Sequence, residues 1–355
     1  MAKILLKGNE AIALAAIKGE CDAFFGYPIT PQNEIPEYLS KYMLENNRVF
    51  VQAESEIAAI NMVYGASGAG KRVMTSSSSP GIALKQEGIT YLCGAELPCV
   101  IVNVMRGGPG LGGIQPSQSD YYQITRGGGN GDYHVISFAP ENLQETVDIV
   151  KEAFDISDEY RNPVMIAVDG LIGQMMESVD MDKVYRTKNF SKPWATRGQS
   201  MGDNRHIITS LYLDPKELEN HNYKLQKKYQ QAKADLQRYE LVNTKDAEFI
   251  IVAYGTMARI CRSVIKQLDQ KGIKVGLIRP ISIWPYPEEA FSNLPKTLKG
   301  ILCCELSLGQ MIDDVRLAVN GRFKVDFFGR VGGILPEVEE IVSKIIAMNN
   351  EVKHE

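Results

Sequence analysis

An alternation restricts the fold more than any other feature of the chain. The apolar runs CDAFFGY, RVFVQAE, RVMTSSS, LPCVIVNVM, HVISFAP and PVMIAVD recur through the first ~170 residues, with stretches of helical spacing between them. Strands that alternate with helices in this way predict a parallel sheet with helices on both faces. Residues 1–178 are therefore expected to form one α/β domain. From 179 to 245 the apolar content falls, and KELENHNYKLQKKYQQAKADLQRYE is densely charged and helix-prone, the pattern of a solvated helical linker or arm. The alternation returns over 246–355 with EFIIVAYGT, IKVGLIRP, GILCCEL and VDFFGRV, a helix near Gln310 to Val319 and a last helix at the end. That predicts a second, smaller α/β domain.

Composition narrows the function. A chain of 355 residues with 44% hydrophobic content has material for two cores. A net charge of −4 and the lack of a Lys/Arg block give no electrostatic footprint for nucleic acid or an anionic membrane. The first segment, MAKILLKGNEAIALAAIKGE, is broken by Lys7, Glu10 and Lys18, so neither a secretion signal nor a spanning helix is expected, and a cytoplasmic location is the default. The six cysteines, Cys21, Cys93, Cys99, Cys261, Cys303 and Cys304, include no C-x-x-C and lie mostly in apolar runs, as reduced core residues do. Iron–sulfur clusters need closely spaced thiolates, so any cluster is expected on another chain.

GASGAGKR, Gly65 to Arg72, comes close to a phosphate-binding P-loop, but Arg72 stands where the motif needs a hydroxyl for Mg²⁺. The order is also reversed. SEIAAINMVYGAS reads as a helix running into the glycines and RVMTSSSS as the strand after them, whereas a P-loop leads from strand to helix. A nucleotide hydrolase is not expected, and the helix before the glycines becomes the point of interest.

Ligands of open parallel sheets bind beyond the carboxyl ends of the strands. After the apolar runs come PITPQNE, AESE, TSSSSPG and RGGPGLGG, so four polar segments are expected at one edge. Glu56 opens a helix that is apolar nearly all round, which suggests a carboxylate carried to an interior end. A first-turn Glu is equally routine as a partner of the helix dipole. Thr30 before Pro31 reads as helix-start grammar. Arg106, between a buried-strand pattern and glycines, suits a two-pronged grip on a carboxylate ligand, or a structural ion pair with an acid such as Asp120.

Taken together, GYPITPQNEIPE, QAESEIAAINMVYGASGAGKRVMTSSSSPG, NVMRGGPG with QSDYYQ, and later IVAYGT, GLIRPISIWPYP and GRVGG resemble the 2-oxoacid:ferredoxin oxidoreductases. The resemblance is to the subunit with the pyrimidine-binding domain for thiamine diphosphate, followed by a transketolase-C-terminal-like domain, and it spans nearly the whole chain. GGPGLGGIQPSQSDYYQ and SLYLDPKELENHNYKLQKKY look most like the branched-chain, 2-oxoisovalerate members.

The resemblance implies specific roles. The family's glutamate that contacts the aminopyrimidine falls on Glu56. A carboxyl group on that ring nitrogen favours the imino form that deprotonates the thiazolium carbon. Tyr27 and Pro28 would shape the cofactor pocket, Ser79 and Pro80 would line it, and Thr30 and Arg106 would meet the 2-oxoacid. No metal ligand is assigned. The diphosphate motif G-D-G has its nearest counterpart in Val168 to Gly170, which lacks the first Gly and is rejected. The diphosphate and Mg²⁺ half-site, and the iron–sulfur clusters, are thereby implied on diphosphate-binding, gamma and ferredoxin-like partner subunits. The implied reaction converts a 2-oxoacid, coenzyme A and oxidised ferredoxin to acyl-CoA, CO₂ and reduced ferredoxin. Pyruvate or 2-oxoglutarate are alternative substrates, and an assembly or regulatory subunit is the alternative of another class.

Overall fold

The computed structural model describes residues 3–183, 185, 187–198 and 205–354. Residues 184, 186 and 199–204 of the expected arm lie outside them. Before the arm the strands are β1 (Ile4–Lys7), β2 (Ala23–Gly26), β3 (Val49–Gln52), β4 (Val73–Ser77), β5 (Cys99–Met105), β6 (Ile136–Phe138), β7 (Pro163–Asp169) and β8 (Met176–Val179). After it come β9 (Tyr239–Val242), β10 (Phe249–Val252), β11 (Val275–Pro280), β12 (Ser282–Trp284), β13 (Gly300–Glu305) and β14 (Val325–Gly329).

The larger sheet runs β12-β6-β7-β5-β4-β2-β3. It is parallel except for β12, which joins β6 in antiparallel pairing. Every residue of β5 (CVIVNVM) and β7 (PVMIAVD) is buried, as expected where helices cover both faces of a parallel sheet. Pro163 opens β7, the position where a missing N–H costs the ladder least. The helices Gly8–Lys18, Glu34–Glu45 and Leu143–Tyr160 pack on one face through Ile12, Leu39 and Val150. Helices Glu56–Gly68 and Ser79–Gly94 cover the other through Ile60, Val63 and Ile89. From β2 the chain steps outward to β3 and then returns to β4 on the opposite side of β2. Such a reversal opens a crevice beyond the carboxyl ends of β2 and β4.

The smaller sheet runs β14-β13-β10-β11-β9, parallel except for β9. Its Ile250, Val252, Ile278 and Cys303 belong to the same apolar cluster as Ile60 and Ile101, so the two sheets share a core. Two strands cross the expected boundary at 245/246. β9, inside the expected arm, pairs with the second sheet, and β12, inside the expected second domain, extends the first. β12 places Trp284 4.4 Å, centroid to centroid, from His134, with Tyr229 of the arm helix edge-on to both. That helix, Pro215–Asp235, is capped by Asp214 and buries only Leu225, Tyr229 and Ala232, a one-sided stripe at helical spacing.

The helix Glu56–Gly68 starts where the sequence indicates, with Ser55 Oγ accepting the Ala58 N–H at 3.1 Å. Its interior end is buried, as its apolar composition suggests, but one face is not. Ile57 is 51% exposed, and Asn61 and Gly65 continue the same outer face. On the adjacent helix Leu84 is 53% exposed. An apolar composition reports the medium a helix contacts but not whether that contact lies within its own chain.

Candidate active site

The segments after β2, β3, β4 and β5 meet at the crevice. Glu56 is the first residue of its helix and is 5% exposed. Its carboxylate lies against Gly81, where an added methyl group would stand 2.6 Å from Glu56 Oε1 and 2.1 Å from Ser77 Oγ. Glycine is therefore required for the close approach of the helix Ser79–Gly94 to the carboxylate. Pro80 stands in the first turn of that helix, where its missing N–H is harmless.

Arg106 follows β5 directly. Its two Nη atoms donate to the carbonyls of Thr30 (2.8 Å) and Leu111 (3.0 Å), so Thr30 and Arg106 are held together. The ion pair with Asp120 considered from the sequence does not form. Asp120 instead accepts from Ser79 Oγ at 2.6 Å and Asn103 Nδ2 at 2.9 Å, and burial raises its carboxyl above the usual range. Ser79 Oγ also accepts the Arg106 N–H at 2.9 Å. The Ser79 hydroxyl thus fixes the Arg106 backbone and Asp120 at the edge of the pocket it was expected to line. Arg106 Nε is buried without a partner, as are the hydroxyls of Ser77 and Ser78. Buried polar atoms without partners cost about 1–3 kcal/mol each, and these three fall close together at the carboxyl ends of β4 and β5.

The YPITP loop is shaped from below. Gln32, buried, accepts from Ser76 Oγ at 2.5 Å and donates to the Tyr27 carbonyl at 3.3 Å. Asn9 and Gln174 both donate to the Pro31 carbonyl and to Glu34. Tyr27, Pro28 and Thr30 remain exposed at the rim. Sequence reading placed Ser77 and Ser78 in the TSSSSPG segment that lines the site, without individual roles, and did not single out Gln32 or Lys85. A lysine four residues after Gly81 and three before Gly88, on an inward helix face, was the one legible signal.

The rejected motifs have structural uses. Arg72 pairs with Asp155 (2.7 Å) and Asp158 (2.9 Å) and donates to the Gly19 and Lys188 carbonyls, clamping the end of one helix to another. Asp169 of VDG caps the helix Gly170–Gln174 and accepts from Thr256 Oγ1 at 2.7 Å, joining the two sheets. Gln118 of QSDYYQ exchanges hydrogen bonds with Leu306 and donates to the Tyr254 carbonyl across the same junction. All six cysteines are free and buried. No helix among the described residues is long and apolar enough to cross a membrane.

Comparison with known proteins bears on the family and the fold. Residues 14–241 match the thiamine diphosphate-binding domain of pyruvate flavodoxin/ferredoxin oxidoreductase, and residues 247–341 match core domain II of pyruvate:ferredoxin oxidoreductase. The chain is 46% identical to ketoisovalerate oxidoreductase subunit VorB of Methanothermobacter marburgensis, with 97% of each chain covered. It is 34% identical to 2-oxoglutarate synthase subunit KorA of Methanothermobacter thermautotrophicus over 97% of this chain and 98% of that one. A solved 2-oxoglutarate:ferredoxin oxidoreductase from Magnetococcus marinus, with 2-oxoglutarate, coenzyme A and succinyl-CoA bound, superimposes with a TM-score of 0.87 at 26% identity. That likeness takes in 98% of this chain, which spans 65% of the solved chain's length.

Proposed function

Because the chain belongs to the pyruvate flavodoxin/ferredoxin oxidoreductase family and carries its thiamine diphosphate-binding domain, we propose that it is the catalytic subunit of a cytoplasmic hetero-oligomer acting chiefly on 2-oxoisovalerate. In this reading coenzyme A and oxidised ferredoxin are the co-substrates, and acyl-CoA, CO₂ and reduced ferredoxin the products. The observation that carries it is the meeting of Glu56, the unpartnered Ser77 and Ser78 hydroxyls and Arg106 in one crevice. The substrate follows the higher identity to the ketoisovalerate relative, 46% against 34% for the 2-oxoglutarate one.

The residues present fit the cofactor's pyrimidine half: a buried carboxylate beside a glycine and two hydroxyls in want of partners. Thiamine diphosphate, when bound, supplies the electron sink for decarboxylation. Glu56 holds and returns a proton at its carboxyl oxygen, in a site where burial strengthens every electrostatic contact. Arg106, with both Nη atoms fixed by carbonyls, offers its remaining guanidinium edge to the 2-oxoacid carboxylate. Tyr27, Pro28 and Pro80 wall the crevice, and Thr30 presents its hydroxyl at the rim. The exposed apolar face of Ile57 and Leu84, beside Glu56, is the surface on which the diphosphate-binding subunit would seat, bringing Mg²⁺ and completing the site. Gamma and ferredoxin-like subunits would carry the iron–sulfur clusters.

The test is anaerobic co-expression with the subunits encoded beside it, followed by coenzyme A-dependent viologen reduction with 2-oxoisovalerate, 2-oxoglutarate and pyruvate. A preference for 2-oxoisovalerate is expected, with Glu56→Gln lowering turnover by ~10²–10⁴-fold. Preference for another acid would retire the substrate, and full turnover by the Glu56→Gln complex would retire the catalytic role.

A further inference from the structure

The GRVGG motif of the second domain ends β14 at Gly329 and runs on into a turn. The Ile334 N–H donates to the Val331 carbonyl at 3.3 Å, and Gly332 and Gly333 between them have φ of +69° and +88°. Two successive positive φ angles make a mirror-image turn that glycine fits best. That is reason enough for Gly332, where an added methyl group would meet open space. Gly333 has a second reason. A methyl group there would stand 2.1 Å from Gln115 Cβ, in the first domain, and one on Gly107 would stand 3.5 Å from the Gly332 carbonyl carbon. The turn therefore lies against both arms of the loop 107–115.

That loop begins at Arg106. Arg106 pairs with Pro116 in an antiparallel bridge, the Gly107 N–H donates to the Gln115 carbonyl at 3.0 Å, and the Gly113 N–H donates to the Gly107 carbonyl at 2.8 Å. The Arg106 side chain closes on the same loop, its Nη2 donating to the Leu111 carbonyl at 3.0 Å. Guanidinium and loop are thus one unit. The loop has little of its own to hold it, because residues 108–115 are exposed and methyl groups on Gly108, Gly110 and Gly113 would touch nothing within 4 Å. Its support comes from the second domain: the turn beneath Gly107 and Gln115, and the Leu306 carbonyl, which accepts from Gln118 N–H at 2.9 Å and Ser117 Oγ at 3.3 Å.

We infer that Gly333 is a positioning residue of the substrate site: its turn, seated on Gln115 and Gly107, sets where Arg106 presents its guanidinium, so the second domain governs affinity for the 2-oxoacid. This rests on the reading of Arg106 as the residue that meets the substrate carboxylate. Gly333 has no side chain to offer a ligand and acts only through the loop.

The experiment compares Gly333→Ala with Gly332→Ala in the assembled complex, by viologen reduction over a range of 2-oxoacid concentrations. Both substitutions strain a positive φ, and neither position belongs to an apolar core, but only Gly333→Ala pushes on Gln115. Relief of that contact moves the loop by about an ångström, and a misplacement of that size costs up to ~10²-fold. KM for the 2-oxoacid should rise ~10–10²-fold in Gly333→Ala with kcat within a few-fold, whereas Gly332→Ala should stay near wild type in both. Hydrogen exchange of residues 106–116 in the full chain alone should quicken in Gly333→Ala only. The obstructing atom is a Cβ, so adding Gln115→Gly to Gly333→Ala should return KM to that of Gln115→Gly alone, and adding Gln115→Ala should not. Equal KM in the two alanine variants while Arg106→Ala raises it would overturn the inference, as would unchanged exchange in both. A KM unmoved by Arg106→Ala itself, with faster exchange in Gly333→Ala, would instead refute the reading of Arg106 alone.

Discussion

Gly81→Ala separates stability from catalysis. The position has ordinary helical backbone, so alanine gains about 1 kcal/mol of helix propensity over glycine. Against this, the new methyl group would stand 2.1 Å from Ser77 Oγ and 2.6 Å from Glu56 Oε1, where contacts under 3.4 Å are rare. The Ser77 hydroxyl can turn aside, because it has no partner to lose. The Glu56 carboxylate must retreat by about an ångström, and overpacking of this kind costs ~1–3 kcal/mol, so the net loss of stability is expected to be no more than ~2 kcal/mol. A misplacement of that size at a reacting group lowers turnover by about 10²-fold. Gly88→Ala is the control. Its methyl group would stand 2.5 Å from Ile60 on the same pair of helices, away from the carboxylate, so it should cost similar stability and leave turnover within a few-fold. Denaturant unfolding of the chain and viologen reduction by the assembled complex measure the two effects. Equal turnover of the two variants would refute the placement of Glu56 against Gly81 as a catalytic requirement.

Arg106→Ala should raise KM for the 2-oxoacid far more than it lowers kcat. Arg106→Lys should not restore it, since a compact ammonium lacks the planar fork that spans the Thr30 and Leu111 carbonyls and leaves an edge for a ligand. Thr256→Val removes one hydrogen bond to the buried Asp169 carboxylate and should cost ~1.5–3 kcal/mol in denaturant unfolding, with turnover per folded molecule unchanged. Burial lowers the Lys85 ammonium from 10.5 to about 7, so between these values the unfolded chain binds the extra proton. Wild-type stability should then rise with pH through that window by roughly 1.4 kcal/mol per unit at most, and Lys85→Met should lack the rise. Matched unfolding curves at neutral and alkaline pH test this, and parallel pH dependence in the two proteins would refute it.

Much of the fold was legible because local pattern and global architecture agree. β5 and β7 are unbroken apolar runs since a central parallel strand is covered on both faces, and Ser55 before Glu56 marks a helix start by its own capping chemistry. Glu56 and Arg106 were readable because strand ends in such sheets gather at one edge and because the quoted motifs resemble those of a known family. β9 and β12 were not readable: each is only a few residues long, and each is a strand only because a distant edge accepts its hydrogen bonds.

The sequence by itself determined the alternation of strands and helices, the lack of a cluster-binding cysteine motif, and which segments end at the crevice, for these depend on side-chain type and short-range spacing. Only the tertiary structure decided that Ser79 serves Asp120 and the Arg106 backbone, that Arg72 and Asp169 are clamps, and that Gly81 lies against Glu56. The physical reason is that a polar side chain takes its role from whichever partner is within about 3 Å of it. Partners such as Thr30 and Arg106, or Asp169 and Thr256, are far apart in the chain and meet only when the sheets close.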